Sequence, residues 1–395
     1  MKKRWISLVL AFVFLLSLCA GNNSFWYRPS DGTPVSTFPN LGSEPDDPPN
    51  PSGGGENPGE WVVFSVDGEI KLGNSAEIYG KTGTNATGNI GGFSPVYMGN
   101  SAYITPEELW IGPGADPSEV VGGVDSSYLA KVNNLSEILS FPLPDWMDFT
   151  FPDVPEGLPD MDNIDGGGSI SADGSGHYDS IRVKGELTLQ VGDSDLVLDI
   201  DSLEIGNSAT LKVERNGTGR LFLFVNNSFS LSNSSKISGG AEDEDSIFLY
   251  YLGTAKFKPA NSSQFNASLF CSQADIDISN SARMGNIVTK GQNVDLNNSS
   301  LSVKHIYATR ADITFHNSAT LEGGVITGGE MVELKNSVSL PGYLYAPLAN
   351  TTLHNSASIH GTTIVKNLYM GNSSLIQGPP VMTIPPLVIP VPIYE

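Results

Sequence analysis

The chain has 395 residues, with 43 Asp and Glu against 21 Lys and Arg, a formal net charge of −22, 39% hydrophobic residues and only 16% charged ones. That balance argues against nucleic acid as the main partner, and the low charged fraction is not the usual signature of disorder. The excess therefore lies in small polar residues, including 43 Gly, in a chain long enough for a sizeable core.

Residues 1–21 read as an export signal: Lys2, Lys3 and Arg4 supply positive charge, 5–18 are apolar, and Cys19, Ala20 and Gly21 are small. Cys19 is a candidate lipidation site, although Leu18 occupies a place where the lipoprotein pattern takes a small residue; ordinary cleavage near Ala20 or Gly21 is the alternative. No later stretch approaches the roughly 18 to 20 apolar residues that cross a bilayer, so the expected contact with a membrane is through that lipid alone. Only Cys271 would then remain, which leaves no internal disulfide. Residues 22–60, with EPDDPPNP and GGGENPGE, have the composition of a disordered spacer.

From 61 to 378 a short unit recurs: apolar, any, Asn, Ser, Ala or Ser, any, apolar. Its Asn falls at Asn74, Asn100, Asn207, Asn233, Asn261, Asn280, Asn298, Asn317, Asn336, Asn355 and Asn372. From Asn261 onward the successive differences in position are 19, 18, 19, 19, 19 and 17. Around each Asn apolar residues alternate, as in Ile313 and Phe315 or Val332 and Leu334, which spells strands of three to five residues. A unit of this length suits one coil of a parallel β-helix, so the fold class expected is an all-β, single-stranded solenoid. The coils from 261 to 372 would make a rod of about 30 Å. Stacking would place each Asn above the one below, with the Asn tolerating a left-handed corner and its amide bonding along a ladder.

Residues 113–176, with FPLPDWMDFTFPDVPEGLPDMD, break the pattern and are expected to form a long excursion projecting from a single continuous solenoid; two stacked blocks are the alternative. Residues 379–395 are apolar but Pro-rich, which excludes a helix or interior strand and suggests an extended cap over the chain end.

The order GNSAEIYG, GNSAYITPEELWIGPGADPS, a Pro-rich passage, GHYDSIRVKGELTLQVGDSDLVLDIDSLEIGNSATL and GYLYAPLANTTLHNSASIHGTTIVKNLYMGNSS resembles an uncharacterised bacterial β-solenoid domain. That domain commonly follows the membrane-anchored helix of PilX-type pilus-assembly proteins. The resemblance covers about 61–376 and implies a cell-envelope setting, with no established activity to carry over. In architecture alone the chain also resembles the bactofilins.

Chemistry-bearing groups are few. The acids Asp193, Asp195, Asp199 and Asp201 alternate with apolar residues and read as solvated, and 242–245 as a corner loop. Asp160, Asp162 and Asp165 echo a calcium loop but miss the EF-hand spacing. His316, Lys335 and His354 fall in one column, with the two His too far apart to share a metal. Asn-x-Ser/Thr matches are numerous, but the structural repeat explains the Asn-Ser pairs better, because most corners read Asn-Ser-Ala. No catalytic residue, cofactor or metal site is expected.

Two functional readings follow. The first is a non-enzymatic, exported structural or interaction protein at the cell surface, associating with its own copies or with an envelope or pilus protein. The second is a carbohydrate-binding or polysaccharide-degrading β-helix, with Trp110, Trp146 and Phe149 as its stacking platform.

Overall fold

The computed structural model describes residues 58–238, 246–279, 282–298, 301–302, 304–379 and 386–394. Outside them lie the export segment with Cys19, the spacer as far as residue 57, the acidic run 242–245, Asn280 and residues 380–385. Among the described residues no helix is long and apolar enough to cross a membrane.

The fold is a parallel β-solenoid. One coil is made by Ile306–Ala308, Asp312–Phe315 and Thr320–Leu321. The next coil repeats it in register, with Ile306 opposite Val325, Ile313 opposite Val332 and Thr320 opposite Ser339. The three strands define three faces. On the second face Ile313, Phe315, Val332 and Leu334 point inward and are buried, while Thr314 and Glu333 between them point outward. This is the period of two that the sequence shows.

The order of coils in space departs from the order in the chain. Residues 63–134 form the upper coils, climbing from Val63–Ser65 through Thr82–Thr84 and Leu109–Ile111 to Asn133–Asn134. The chain then returns to the opposite end, where Ile164–Ile170 pairs with Gly176–Val191, and climbs again. Its last coil meets the underside of the first: Val63 lies opposite Thr363, Ile70 opposite Leu368, and Glu77 opposite Leu375. The stack is continuous, but a seam joins coils from the two ends of the folded chain.

The expected projecting excursion is corrected on this point. Of 113–176, the part up to 134 completes the uppermost coils, with Pro117–Val120 and Ser126–Leu129 capped by Asp116 and Asp125. The part from 159 begins the lowest coil, where the Met161 and His177 main chains pair. Residues 135–158 form a strap that lies flat on the first face. Asn85 exchanges two hydrogen bonds with Leu139 at 2.8 and 2.9 Å. Lower down, Tyr345 Oη donates to Pro142 O at 2.7 Å, and the Phe151 ring sits 5.9 Å from Tyr250 and 6.0 Å from Phe270.

The strap explains why the first face is apolar on both sides. Its outward residues Phe224, Tyr250, Phe270, Val288, Tyr307, Ile326, Tyr345, Ile364 and Phe64 are all buried in one cluster with Leu139, Phe141, Met147 and Phe149 of the strap. Proline cannot donate to a ladder, but it suits an extended chain that packs by side chains alone. The tail does not cap the chain end as expected. Residues 387–393 lie on the same face near the lower end, where the Tyr250 hydroxyl donates to Pro390 O and Leu387 and Ile389 join the aromatic cluster.

The corner turns also differ from expectation in one respect. The left-handed residue is the Ser after the Asn: Ser75, Ser101, Ser208, Ser234, Ser262, Ser318, Ser337, Ser356 and Ser373 have φ between 56° and 60°. The following residue closes the turn, as in Ala76 N–H to Gly73 O at 3.3 Å and Ala357 N–H to His354 O at 3.0 Å. That residue points inward, and where it is Ser its hydroxyl is satisfied locally, as Ser374 Oγ to Gly371 O at 2.7 Å. The corner between the first and second faces carries a Thr-x-Gly device that the repeat pattern did not reveal. Thr327 Oγ1 donates to Ala311 O and accepts from Gly329 N–H at 3.0 Å, and Thr289 accepts from Gly291 N–H at 2.9 Å.

If the strap is part of the core, truncating its buried aromatic should be as costly as a core deletion. Phe141→Ala is expected to lower unfolding free energy by about 3–5 kcal/mol. Ile138→Ala, in the same strap but 57% exposed, should change it by less than about 0.5 kcal/mol, both measured by denaturant titration.

Candidate functional site

Of the acids that read as solvated, Asp193 is exposed, and the other three fall into two different environments. Asp195 is nearly buried, its side chain 7% exposed, and pairs with Arg220 through Nη2 at 2.7 Å and Nε at 3.2 Å. It also accepts from the Ile393 main-chain N–H at 2.9 Å, while Arg220 donates to Val391 O at 2.9 Å. Burial alone would raise this carboxyl, but the Arg220 and main-chain donors outweigh it and hold it below the usual range. Asp195 and Arg220 thus form the clasp that holds the tail.

Asp199 and Asp201 gather instead around His177, one coil below. His177 Nδ1 lies 2.7 Å from Asp199 Oδ2, Nε2 is 3.6 Å from Asp179, and Asn226 Nδ2 donates to both Asp199 and Asp201 at 2.8 and 3.2 Å. His177, Asp179 and Asp201 bring one donor atom each within 4.8 Å of one another. The grouping depends on the register His177 to Asp199, a longer step than the regular repeat and therefore one that the repeat conceals. The Asp199 hydrogen bond raises the His177 pKa above its ordinary value, against a smaller opposing effect of burial.

The other sequence candidates are dispersed. Asp165 is paired with Lys184 at 2.7 Å, while Asp160 and Asp162 are exposed. Trp110, Trp146 and Phe149 do not form an open platform. Phe149 is buried, Trp146 packs edge-on against Tyr307 at 5.8 Å, and Trp110 shares the Lys81 ammonium with Trp61. His316 and His354 each face a carboxylate of the coil below, Asp295 and Glu333, at 3.8 Å. Lys335 pairs with Glu333.

The Asn residues line one exposed corner. Asn372 N–H donates to Asn355 Oδ1 at 3.0 Å, Asn74 N–H to Asn372 Oδ1 at 2.9 Å, and Asn100 N–H to Asn74 Oδ1 at 3.0 Å. These rungs run from side chain to main chain, and they cross the seam unbroken. Asn261, Asn298, Asn317 and Asn336 occupy the same exposed corner lower down.

Beside that corner, at the seam, lies a cleft of about 400 Å³ lined by Lys71, Thr352, His354, Asn355, Tyr369 and Gly371 among others. It exists because the position before the Asn changes character. The three coils directly below the seam carry His316, Lys335 and His354 there, whereas the coils at the seam and above carry Gly371, Gly73 and Gly99. On the facing column Lys71 Nζ lies 5.4 Å above the Tyr369 ring and 2.7 Å from Glu69. The Tyr369 hydroxyl donates to Glu69. Burial and that hydrogen bond push the phenol up to about 12, and Lys71 followed by Tyr369 hold the Glu69 carboxyl below its usual range.

Residues 154–305 match the profile of a domain family described as a domain of unknown function, DUF7305. The matched stretch runs from the end of the strap through the lower coils. No curated protein and no solved structure matches the chain.

Two measurements check these assignments. Asp195→Asn should open the clasp, so limited proteolysis would cut within 386–394 at a higher rate and stability would fall by about 2 kcal/mol. His177 and His305 should give opposite pH signatures. The raised His177 pKa means stability present below the unfolded value and lost as pH rises through the folded value. His305 is held low, first by burial and then by Lys304, with Nδ1 accepting from Gly324 N–H at 3.0 Å. Its contribution is lost as pH falls below the ordinary 6.5. The unfolding midpoint of His177→Gln should therefore converge toward the parent's above pH 6.5, and that of His305→Gln should rise relative to the parent's below it.

Proposed function

We propose that this chain is an exported structural or interaction protein of the cell envelope, displayed as a rigid solenoid rather than used as a catalyst. The observation that carries the reading is the seam. Two runs of coils, a strap and a tail are fastened into one stack by main-chain pairing and an aromatic cluster, so large apolar surface and several acids serve internal cohesion. Such a body suits a spacer or presented surface, because its coils give it length without a hinge.

The export segment, with Cys19 as candidate lipid anchor, and the spacer at 22–60 support placement outside the cytoplasm. The resemblance to the domain of PilX-type proteins makes a pilus or other envelope protein the partner class of first choice, with a second copy as the alternative. The charge of −22 keeps such a surface soluble.

Envelope fractionation with mass spectrometry of the mature N-terminus tests this directly. The protein should be recovered outside the cytoplasm, beginning at an acylated Cys19 or just after it. Full-length protein found in the cytoplasm with Met1 to Arg4 intact would overturn the reading.

A further inference from the structure

We propose that the cleft at the seam is a binding subsite for an extended, neutral, hydroxyl-rich glycan, of the β-1,4-linked pyranose kind. This goes beyond the display role and does not depend on it.

The first support is the shape of the cleft. Two of the coils below have a histidine before the Asn that reaches down over the outward residue of the preceding coil, His354 toward Glu333 and His316 toward Asp295. Glycine at 371 and 73 removes that cover from Thr352 and Tyr369, and Gly99 removes it from Lys71 one coil higher. The result is a straight trough with a glycine floor, running along the stack. One wall is the Tyr369 and Lys71 column, and Asn355 stands on the other, at the corner whose rungs continue upward through Asn372 and Asn74. Its lower end is closed by the His354 imidazole. Three rungs at the strand spacing give about 10 Å, and a coil rise is close to the length of one pyranose residue in an extended chain.

The second support is the chemistry of the walls. Tyr369 lines the cleft with one face of its ring under the Lys71 ammonium, and Tyr97 (51% exposed), in the coil above Lys71, continues the column with a second ring for the C–H face of a sugar. Asn355, Asn372 and Asn74 are exposed and commit Oδ1 to the rungs, so each amide NH₂ is the donor left for a ligand hydroxyl. His354 Nε2 is turned down to Glu333 Oε1 of the coil below at 3.8 Å, so the imidazole serves as the end wall of the trough. The local charge is balanced, because Glu69 pairs with Lys71 and Glu333 with Lys335. With the whole chain at −22, a neutral polymer is favoured over a polyuronate. A β-1,4 chain is flat and straight like the trough, whereas an α-1,4 chain coils.

Titration calorimetry of the full chain with cellohexaose, chitohexaose, maltohexaose and polygalacturonate tests this. Either β-1,4 hexaose should bind more tightly than maltohexaose and polygalacturonate. Gly371→His, which installs the side chain that His316 and His354 supply at this position, should weaken that binding at least tenfold, with a thermal midpoint close to the parent's as the check on folding. Tyr369→Ala should do the same. The proposal is overturned if neither β-1,4 hexaose binds, if polygalacturonate or maltohexaose binds as well, or if Gly371→His folds and binds like the parent.

Discussion

The main-chain hydrogen-bond ladder across the seam is the interaction on which the rest depends. A coil of parallel strands exposes N–H and C=O groups on both edges, and an edge left bare invites association with other chains. Here the upper edge of the last coil and the lower edge of the first satisfy one another, from Thr363 N–H to Val62 O at 2.8 Å to Glu77 N–H to Ser374 O at 3.0 Å. Once residues 63–134 sit above residue 377, the chain has to travel the length of the stack to begin again. The strap follows from that geometry. A strap requires something to hold it, and the outward aromatics of the first face supply this, with Phe224, Tyr250 and Phe270 stacked at 5.0 and 4.6 Å. The tail uses the lower part of the same surface.

Outside the first face the solenoid is held in register by polar pairs between neighbouring coils. Arg182 with Glu204, Lys184 with Asp165, and Lys258 with Asp277 each join adjacent rungs at 2.7 Å. Exposed pairs of this kind contribute little free energy, but a stack of nearly equivalent coils has many slipped alternatives, and each pair penalises a slip. At the seam the polar density rises: Lys366 faces Asp67, Asn367 Oδ1 accepts from Glu69 N–H, and the Ser65 hydroxyl lies 2.9 Å from both Lys366 O and Glu69 O, sharing its one hydrogen between them. Greater specificity is appropriate where the partner coil is not the next one in the chain.

The coil, its length and its Asn corner are legible in the sequence because each repeats, and repetition converts a weak local signal into a strong one. The left-handed residue falls one position later than the pattern suggests. Asn is the usual choice for that conformation, but the turn places its Ser there, and only the backbone shows it. The Thr-x-Gly corners at Thr289 and Thr327 are present in the sequence but recur less regularly. The seam leaves no trace, because periodicity says that like stacks on like and not in which order. The Pro-rich passage lies elsewhere than expected for a related reason: proline excludes 135–158 from a sheet interior, yet says nothing against a sheet's outer surface. The outward aromatics of the first face are the available clue, since Phe222, Phe224, Phe248 and Tyr250 leave those strands without a polar side.

The cleft follows from the same topology. Its lining comes from both ends of the folded chain, with Lys71 and Gly73 from the first coil and Tyr369, Gly371 and His354 from the last two. No contiguous part of the chain contains it, so the surface is complete only when the seam has closed. A long-range main-chain joint costs more loop entropy to form than a joint between successive coils, which makes it late to assemble and easy to lose. Placing a distinctive surface there ties its presence to the integrity of the whole stack. A surface built on Asp312, Glu330 and their neighbours in the regular coils would carry no such dependence, because those coils pair only with their neighbours in sequence.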